Sequence, residues 1–283
     1  MTRITELGAR IIGMVLAFAC AHGNKRKDPR LRYKRVLVKL SGGAFAGTSE
    51  GSFDKEAVDQ LADEIISVSR SGVEVAIMVG GGNIFRGRLA EQWNIERVEA
   101  DNIGMMATVI NSLILRGALS ARGADETRVM TAIPMASITE PYIRLRAIKH
   151  LEKGYTVIFA AGTGQPFVTT DYPAVQRAIE IRAEVILAAK QGTDGVYSAD
   201  PRVDPSATRF ATITFDEVLG RGLNVMDQSA FMLARDHDLP IHVFNANEPG
   251  AMQRACEGES VGTYVSSAPS SAPSSASVNA VPR

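Results

Sequence analysis

The chain reads RVLVKLSGG over residues 35–43 and VEVAIMVGGGNIFRG over residues 73–87. In each stretch an apolar run is followed directly by glycines, which is typical of a buried parallel strand that ends in a tight loop. Glycine lets the backbone approach a bulky anion, and the loop N–H groups and the next helix N-terminus then face that anion. Two such loops on one sheet predict an α/β fold with a site for two phosphate-bearing groups.

The composition is that of a globular protein. The 283 residues are 45% hydrophobic and 22% charged, which is enough to bury a full α/β core. Lys plus Arg equals Asp plus Glu at 31 each, so the chain lacks the net positive charge that favours general binding to nucleic acid or to anionic membranes. We therefore expect no nucleic acid and no membrane as partners, and any affinity for anions has to be local.

The cysteines and histidines do not indicate a metal site. Cys20 and Cys256 are far apart and are not accompanied by ligands at metal spacing. His237 and His242 are five residues apart with a proline between them, which is the wrong spacing for two ligands on one helix face. We predict surface or packing histidines, no resident metal and a cytoplasmic, reducing location.

The N-terminus differs from the rest of the chain. Residues 11–21 form an apolar run that superficially matches a secretory signal, but a run of this length is too short to span a bilayer. The basic residues 25–32 follow it and oppose export. We predict that residues 1–32 are an N-terminal extension, flexible or derived from a misassigned start codon, rather than a secretory signal.

The C-terminus is a low-complexity segment. Residues 267–283 are rich in Ser, Ala and Pro, a composition that cannot form a core, and they predict a disordered tail. Between the two ends, residues 33–266 are sufficient for one catalytic domain.

Within that domain, short β-branched runs alternate with longer helical patterns, which predicts βα units and a largely parallel sheet. The predicted strands are 35–40, 73–79, 128–133, 155–160, 184–189 and 241–244. The predicted helices are 54–70 with Asp54 as its N-cap, 101–121, 142–153, 173–181 and 227–236. Ligands of open α/β sheets bind beyond the carboxyl ends of the strands, so four polar loops should converge on one edge.

The loops fit phosphoryl transfer, which requires neutralised phosphate oxygens, a metal and two substrates in line. Lys39 is placed to reach the transferred phosphate; by itself it would more readily be a strand-end lysine paired with a carboxylate. Arg86 follows three glycines and can bind phosphate with two N–H groups, the alternative being a surface arginine at a helix start. Asp101 fits a contact to a ribose hydroxyl or an N-cap.

The later loops leave more alternatives open. The hydroxyl-rich loop after residue 160 could contact base, sugar or phosphate, but Thr170-Asp171 before Pro173 fits helix capping equally well. Asp227 fits orientation of Mg²⁺ or of the transferred phosphate, or again an N-cap. Asp194-Gly195 and Asp200-Pro201 are typical of turns. Neither a Walker A sequence nor a complete G-x-G-x-x-G occurs, so the commoner nucleotide-binding folds do not explain the glycines.

Several longer motifs occur in order, and together they are far more specific than one glycine loop. They are Val38-Lys39-Leu40-Ser41-Gly42, Gly80-Gly81-Gly82-Asn83-Ile84-Phe85-Arg86-Gly87, Asp101-Asn102-Ile103-Gly104-Met105-Met106-Ala107-Thr108, Ala161-Gly162-Thr163-Gly164, Pro166-Phe167, Thr169-Thr170-Asp171, Asp194-Gly195-Val196-Tyr197, Ala199-Asp200-Pro201 and Val225-Met226-Asp227. On these motifs the chain resembles the bacterial uridylate (UMP) kinases of the amino acid kinase superfamily. The resemblance implies a three-layer αβα sandwich with a mainly parallel sheet, and Mg²⁺-dependent transfer from ATP to UMP to give UDP. It also implies a homohexamer, with GTP and UTP as regulators.

The resemblance further implies a role for each matching position. The catalytic positions would be Lys39, Arg86 and Asp227. The ATP-binding positions would be Lys39, Leu40, Ser41, Gly42, Gly82, Arg86, Gln191, Tyr197 and Asp200. The UMP-binding positions would be Gly81, Asp101 at the ribose, Thr163, Gly164, Gln165, Pro166, Phe167, Val168, Thr169 and Thr170. Mg²⁺ would be carried with ATP, and no metal ligand is assigned to the protein.

The chain departs from the family pattern at a few positions. Gly43 stands where an acidic residue is usual, Gln165 where Asn is common, and Gly117 where an acidic residue often follows arginine. Residues 47–54 lack some glycines of the loop that the family links to GTP activation. Two alternatives therefore stay open: a diverged kinase of the same fold that acts on another acceptor, and a non-catalytic relative that binds oxyanions or nucleotides.

Overall fold

The computed structural model describes residues 28–47 and 51–268. Most of the predicted N-terminal extension and nearly all of the predicted Ser/Ala/Pro tail lie outside the described residues. Residues 28–32 are described and contact the domain. Leu31 is buried, and the backbone N–H of Arg32 donates to the carbonyl of Cys256 over 2.9 Å. The packed part of the chain thus begins before Tyr33.

The described residues form one central sheet. Its strands are β1 (Arg35–Leu40), β2 (Glu74–Val79), β3 (Thr127–Thr131), β4 (Glu140–Pro141), β5 (Thr156–Ala160), β6 (Val185–Lys190), β7 (Thr212–Thr214), β8 (Ile241–Asn245) and β9 (Thr263–Ser266). Their order is β4-β3-β5-β2-β1-β6-β8-β9-β7. The pairs are parallel except β8 with β9. The central strands are buried on both faces, which is why they read as continuous apolar runs.

Helices cover both faces of this sheet. They are α1 (Gly43–Ala46), α2 (Lys55–Arg70), α3 (Gly87–Gln92), α4 (Arg97–Ser120), α5 (Arg144–Glu152), α6 (Asp171–Ile181), α7 (Phe215–Gly220), α8 (Gln228–Asp236) and α9 (Ala251–Cys256). Val38 belongs to the apolar core under α2, α4 and α9, whereas its neighbour Leu37 belongs to the core under α5, α6 and α8. The predicted αβα sandwich is confirmed. Because strand side chains alternate, Lys39 faces the same layer as Leu37.

Three helix starts differ from the sequence prediction by two residues or more, and one of them is that of α5, which begins at Arg144 rather than at 142. Helix α4 begins at Arg97, so the interpretation of Asp101 as an N-cap is wrong: that residue lies in the second turn. Helix α6 begins at Asp171 rather than at 173, because proline is accepted in a first turn, where its missing N–H is not needed. Asp54 is the N-cap of α2 as predicted, and its carboxylate accepts from the N–H of Ala57 over 2.8 Å.

Helix α4 is, among the described helices, the one that is long and apolar enough to span a membrane by length and composition. Leu115 and Leu119 on this helix are fully buried in the core between α4 and the sheet. A core helix of a globular domain meets the same criteria, and we interpret α4 as such a helix.

His242 lies in β8 and is enclosed by aromatic rings. Its exposed fraction is 3%, and its ring centroid lies 4.7 Å from that of Tyr264 and 6.4 Å from that of Tyr33. Burial lowers the pKa of His242 to about 4, and the nearby Arg32 guanidinium acts in the same direction. His242 is therefore a packing residue, as the sequence allowed.

We expect the free energy of unfolding to fall as the pH drops from about 6.5 toward 4. The unfolded chain takes up a proton at His242 near the ordinary pKa of about 6.5, whereas the folded protein resists protonation until about pH 4. The unfolded state thus binds more protons across this window, at a cost of up to about 1.4 kcal/mol per pH unit. Denaturant unfolding between about pH 7 and 5 measures the slope. The slope should shrink in His242→Leu and persist in His237→Gln, an exposed control; an unchanged slope in His242→Leu would contradict the expectation.

Candidate active site

Four loops meet at one edge of the sheet. Strands β5, β2, β1 and β6 are adjacent and parallel, so their carboxyl ends lie side by side. The segments that follow these strands are residues 161–170, 80–87, 41–43 and 191–201, respectively. The predicted convergence of four polar loops is confirmed.

The two glycine loops are in direct contact. A Cβ atom added to Gly42 would lie 2.4 Å from the backbone N of Gly82 and 2.7 Å from that of Asn83. One added to Gly80 would lie 2.9 Å from the backbone N of Gly42. Real Cβ atoms essentially never come this close to backbone, so only glycine permits the approach. The glycines thereby bring backbone N–H groups of both loops into one small region, as an anion site requires.

Asn111, on α4, holds the second glycine loop. Its amide is fully buried and donates to the carbonyl of Gly80 over 2.7 Å. It also exchanges hydrogen bonds with the Asn83 amide at 2.7 and 3.1 Å. Sequence reasoning missed Asn111, because a lone amide on an apolar helix has no local signature. Its place on the buried face of a predicted helix was the one available signal.

A buried carboxylate lies between two lysines at the ends of β1 and β6. Lys39 Nζ is 2.5 Å from Asp171 Oδ1, and Lys190 Nζ is 3.8 Å from Asp171 Oδ2. The exposed fractions of Lys39 and Asp171 are 5% and 8%. Lys39 is thus a strand-end lysine paired with a carboxylate, and that pair lies where the loops meet.

Burial and neighbouring charges set the protonation of this cluster. Burial lowers the pKa of Lys190 to about 8, and the Lys39 ammonium adds to the effect. Burial opposes ionisation of Asp171, but Lys39 and Lys190 together hold its pKa below the usual range. Asp171 is therefore ionised, and Lys39 and Lys190 bring positive charge to the point where the loops meet, which suits the site to phosphate.

Sequence reasoning gave Lys190 no role and left Asp171 between ligand contact and capping. The capping interpretation is wrong: Thr170 is the N-cap of α6 but makes no side-chain capping bond, and Asp171 pairs with Lys39. Lys190 ends a strand that is parallel to β1 and adjacent to it, much as Lys39 lies near the end of β1. That equivalence was a signal the sequence offered.

Asp227 joins the cluster from the start of α8. Its backbone N–H donates to Asp171 Oδ2 over 3.2 Å, and its carboxylate accepts a hydrogen bond from the Thr169 hydroxyl. Asp227 occupies the N-cap position of α8, but its side chain makes no capping bond. The carboxylate is therefore turned toward the loop that follows β5 instead of toward its own helix.

The β5–α6 loop (residues 161–170) contains most of the predicted UMP-binding positions. Asp101 Oδ2 accepts from the backbone N–H of Phe167 over 2.8 Å, and Asp101 also pairs with Arg97 at 2.9 Å. Asp101, the residue predicted to bind the ribose, thus ties the loop to α4. Thr163 Oγ1 is buried and has no hydrogen-bond partner within the described residues. A buried hydroxyl of this kind is normally satisfied by a ligand or by water.

Arg86 follows the second glycine loop. Its Nε donates to the carbonyl of Gly82 over 2.5 Å, and the side chain is exposed at the same edge of the sheet. Arg86 is also the N-cap residue of α3. Its position therefore fits the alternative prediction as well, that of a surface arginine at the start of a helix.

The segment after β6 (residues 191–201) contains the turn that the sequence predicts at Asp200-Pro201. Asp200 accepts from the backbone N–H of Arg202 over 3.0 Å and pairs with its guanidinium at 2.8 Å, which makes an exposed turn. The Tyr197 hydroxyl donates to Asp194 over 2.6 Å. Tyr197 and Asp200 therefore have local partners, whereas Gln191 reaches across to the first glycine loop.

Gln191 lies beside Gly43. A Cβ on Gly43 would lie 2.4 Å from Gln191 Oε1. Gln191 Nε2 donates to the carbonyl of Gly47, just beyond α1. The space beside Gly43 is thus taken by the end of a side chain from the segment that follows β6.

Comparison with known proteins identifies the family. The model of the amino acid kinase family matches residues 34–245. A uridylate kinase of Frankia casuarinae is 61% identical over 238 residues, which cover 84% of this chain and 92% of the relative. A uridylate kinase of Pediococcus pentosaceus is 48% identical over 235 residues, which cover 83% and 97%. Among solved structures, the UMP kinase of Bacillus anthracis is 56% identical, covers 83% of this chain and 96% of that one, and has a TM-score of 0.81. The chain therefore belongs to the amino acid kinase family and, within it, to the uridylate kinases.

Proposed function

We propose that the protein is a uridylate kinase that transfers the γ-phosphoryl group of ATP to UMP, giving UDP in pyrimidine nucleotide biosynthesis. The observation that carries the proposal is the buried cluster of Lys39, Asp171 and Lys190 where the glycine loops and the β5–α6 loop meet. Catalysis of phosphoryl transfer consists mainly of holding two phosphates in line and neutralising their charge. The names of the relatives supply the identity of the acceptor.

In this reaction an oxygen of the UMP phosphate attacks the γ-phosphorus of ATP. The bond from that phosphorus to the β–γ bridging oxygen breaks, and ADP leaves. Lys39 and Lys190 supply positive charge where negative charge moves during transfer. Asp171 holds both ammonium groups in place before the substrates arrive, so that little reorganisation is required. Asp227 is bonded to Asp171 and to Thr169, and thereby links the cluster to the acceptor side.

The donor side is assigned to the first glycine loop and its neighbours. The proposed ATP-binding residues are Lys39, Leu40, Ser41, Gly42, Gly82, Arg86, Gln191, Tyr197 and Asp200. Their loops follow three adjacent strands, β2, β1 and β6, which supports a common site. The contact of Gly42 with Gly82 brings the two glycine loops side by side, which supports phosphate binding by both.

The acceptor side is assigned to the β5–α6 loop together with Gly81 and Asp101. The proposed loop residues are Thr163, Gly164, Gln165, Pro166, Phe167, Val168, Thr169 and Thr170. The buried, unpartnered hydroxyl of Thr163 supports a polar ligand here. The bond from Phe167 to Asp101 brings the carboxylate to the same loop, as a ribose contact requires.

We assign Mg²⁺ to the ATP that carries it. Among the described residues, no three His, Cys, Asp or Glu side chains are grouped so as to hold an ion themselves. Asp227 accepts one hydrogen bond from Thr169 and so retains acceptor capacity for Mg²⁺ or for its bound water. Bound with ATP, Mg²⁺ would neutralise phosphate oxygens next to Lys39.

Exposed apolar side chains bear on the assembly of the protein. Ile103 and Ile110 lie seven residues apart on α4 with exposed fractions of 37% and 45%, and Trp93, which follows α3 in the sequence, is 66% exposed. Exposed apolar side chains of this size favour contact between copies of the chain, and we propose a homohexamer, with GTP and UTP as its regulators. Light scattering of the purified protein would give six chain masses. We further propose a cytoplasmic enzyme whose catalytic domain covers residues 33–266, with residues 28–32 packed against it.

The function is tested by coupled detection of ADP formation with ATP, Mg²⁺ and a panel of UMP, CMP, dUMP and amino acids. We expect turnover with UMP far above that with the other acceptors. Turnover with an amino acid alone would instead favour a diverged kinase of the same fold, and no turnover with any acceptor would favour a non-catalytic relative.

A further inference from the structure

Two residues of the β5–α6 loop have positive φ although they are not glycine. Ala161, the first residue of the loop, has φ +59°, and Phe167 has φ +65°. Residues with a Cβ atom rarely adopt this region, because the Cβ approaches the following carbonyl. Strained residues of this kind persist where surrounding contacts over-determine them, and they concentrate at functional sites. The loop therefore needs anchors at both positions.

Helix α4 supplies both anchors. The backbone N–H of Ala161 donates to Thr108 Oγ1 over 2.7 Å, and that of Phe167 donates to Asp101 Oδ2 over 2.8 Å. Asp101 and Thr108 are seven residues apart, close to two helical turns, so they lie on the same face of α4. One helix face thus holds the start and the far part of the loop.

The Thr108 anchor is fixed in orientation. Its hydroxyl proton is donated to the carbonyl of Met105 over 2.7 Å, which leaves an oxygen lone pair for Ala161. Thr108 is 3% exposed, so bulk water does not compete for that bond. One turn further on, Asn111 holds the carbonyl of Gly80 in the second glycine loop. Successive turns of a rigid element therefore hold the two loops between which the phosphates have to meet.

We propose that Thr108 is a positioning residue for phosphoryl transfer. By accepting the N–H of Ala161, it sets where the β5–α6 loop begins relative to the second glycine loop. It touches neither substrate and acts through the loop backbone. The inference rests on the proposed function, since that assigns the loop to UMP.

The test compares Thr108→Val, which keeps the shape but loses the acceptor, with Thr108→Ser, which keeps the hydroxyl. We expect Thr108→Val to raise the KM for UMP about tenfold, the effect of losing one bond to a buried N–H, while the KM for ATP changes by less than about twofold. Thr108→Ser should stay close to the wild type. Ser112→Ala is the matched control, since Ser112 is fully buried on the same helix and bonds within it, to the carbonyl of Thr108.

A second readout does not depend on catalysis. Amide hydrogen exchange of Ala161 in the ligand-free protein should quicken in Thr108→Val and remain at the wild-type rate in Ser112→Ala. If the wild type forms no UDP, the proposed function fails while the exchange still tests the anchor. Thr108→Ala replaces the valine variant, with the same expected direction, if valine prevents folding.

The proposal is overturned if Thr108→Val loses thermal stability but keeps both KM values and the exchange rate of Ala161. It is equally overturned if Thr108→Ser behaves like Thr108→Val, because the hydroxyl would then be irrelevant.

Discussion

Lys39→Met will lower kcat for UDP formation about a thousandfold, the upper end of what one preorganised charge contributes. Lys39 is 5% exposed, so water does not replace the lost ammonium. Its 2.5 Å contact with Asp171 keeps it oriented before substrate binds, and this preorganisation is what methionine removes. The measurement is kcat at saturating ATP and UMP, per mole of folded protein.

The stability of the same variant separates catalysis from folding. Lys39→Met leaves Asp171 with Lys190 at 3.8 Å, and breaking a buried pair costs about 3–5 kcal/mol. Adding Asp171→Asn removes the stranded charge, so the double variant should regain stability but not activity. Lys34→Met, an exposed lysine of the same segment, should change stability by less than about 0.5 kcal/mol and leave kcat as it is. A Lys39→Met enzyme with wild-type kcat would remove the role assigned to Lys39.

Gly42→Ala will lower kcat/KM about a hundredfold, as expected when reacting groups are displaced by about 1 Å. The new Cβ would meet the backbone N of Gly82 at 2.4 Å and that of Asn83 at 2.7 Å. Backbone cannot rotate away as a side chain can, so the two glycine loops have to separate. We expect a stability loss of about 1–3 kcal/mol as well, typical of overpacking.

Gly117→Ala is the matched control for this substitution. Gly117 lies in α4 and is exposed, and nothing lies within 4 Å of a Cβ added there. Alanine at such a helix position should stabilise the protein by about 0.5–1 kcal/mol and leave the kinetics unchanged. Denaturant unfolding and steady-state kinetics on both variants give the comparison. Wild-type kinetics in Gly42→Ala would show that the loops do not need their close contact.

The fold was predictable where the residue pattern repeats over several residues. The central strands carry continuous apolar runs, and each was found within about two residues of its expected bounds, the usual boundary error. The short strands β4 and β7 were missed, because two or three residues are too few to establish a period. Strand β9 was missed too. It has four residues, and nothing in them indicates that the strand pairs antiparallel with β8.

The candidate site was predictable where a motif contains the chemistry in consecutive residues. Lys39 and the glycine loops were found this way. Lys190, Thr108 and Asn111 were not assigned, because each acts through a partner at least 19 residues away: Asp171 for Lys190, Ala161 for Thr108, and Gly80 for Asn111. The interpretation of Asp101 as an N-cap was wrong, because no side-chain cap marks the true start of α4.

Local composition is enough to specify strands that end in glycine, and therefore an α/β sheet with glycine loops at its edge, because backbone freedom and apolar periodicity act over a few neighbours. Packing alone brings Asp171 between Lys39 and Lys190. The lowered pKa of Lys190, and the strength of its interaction with Asp171, come from the exclusion of water once three separate segments meet. Electrostatic interactions of this strength need a buried environment, and a linear pattern of residues does not contain one.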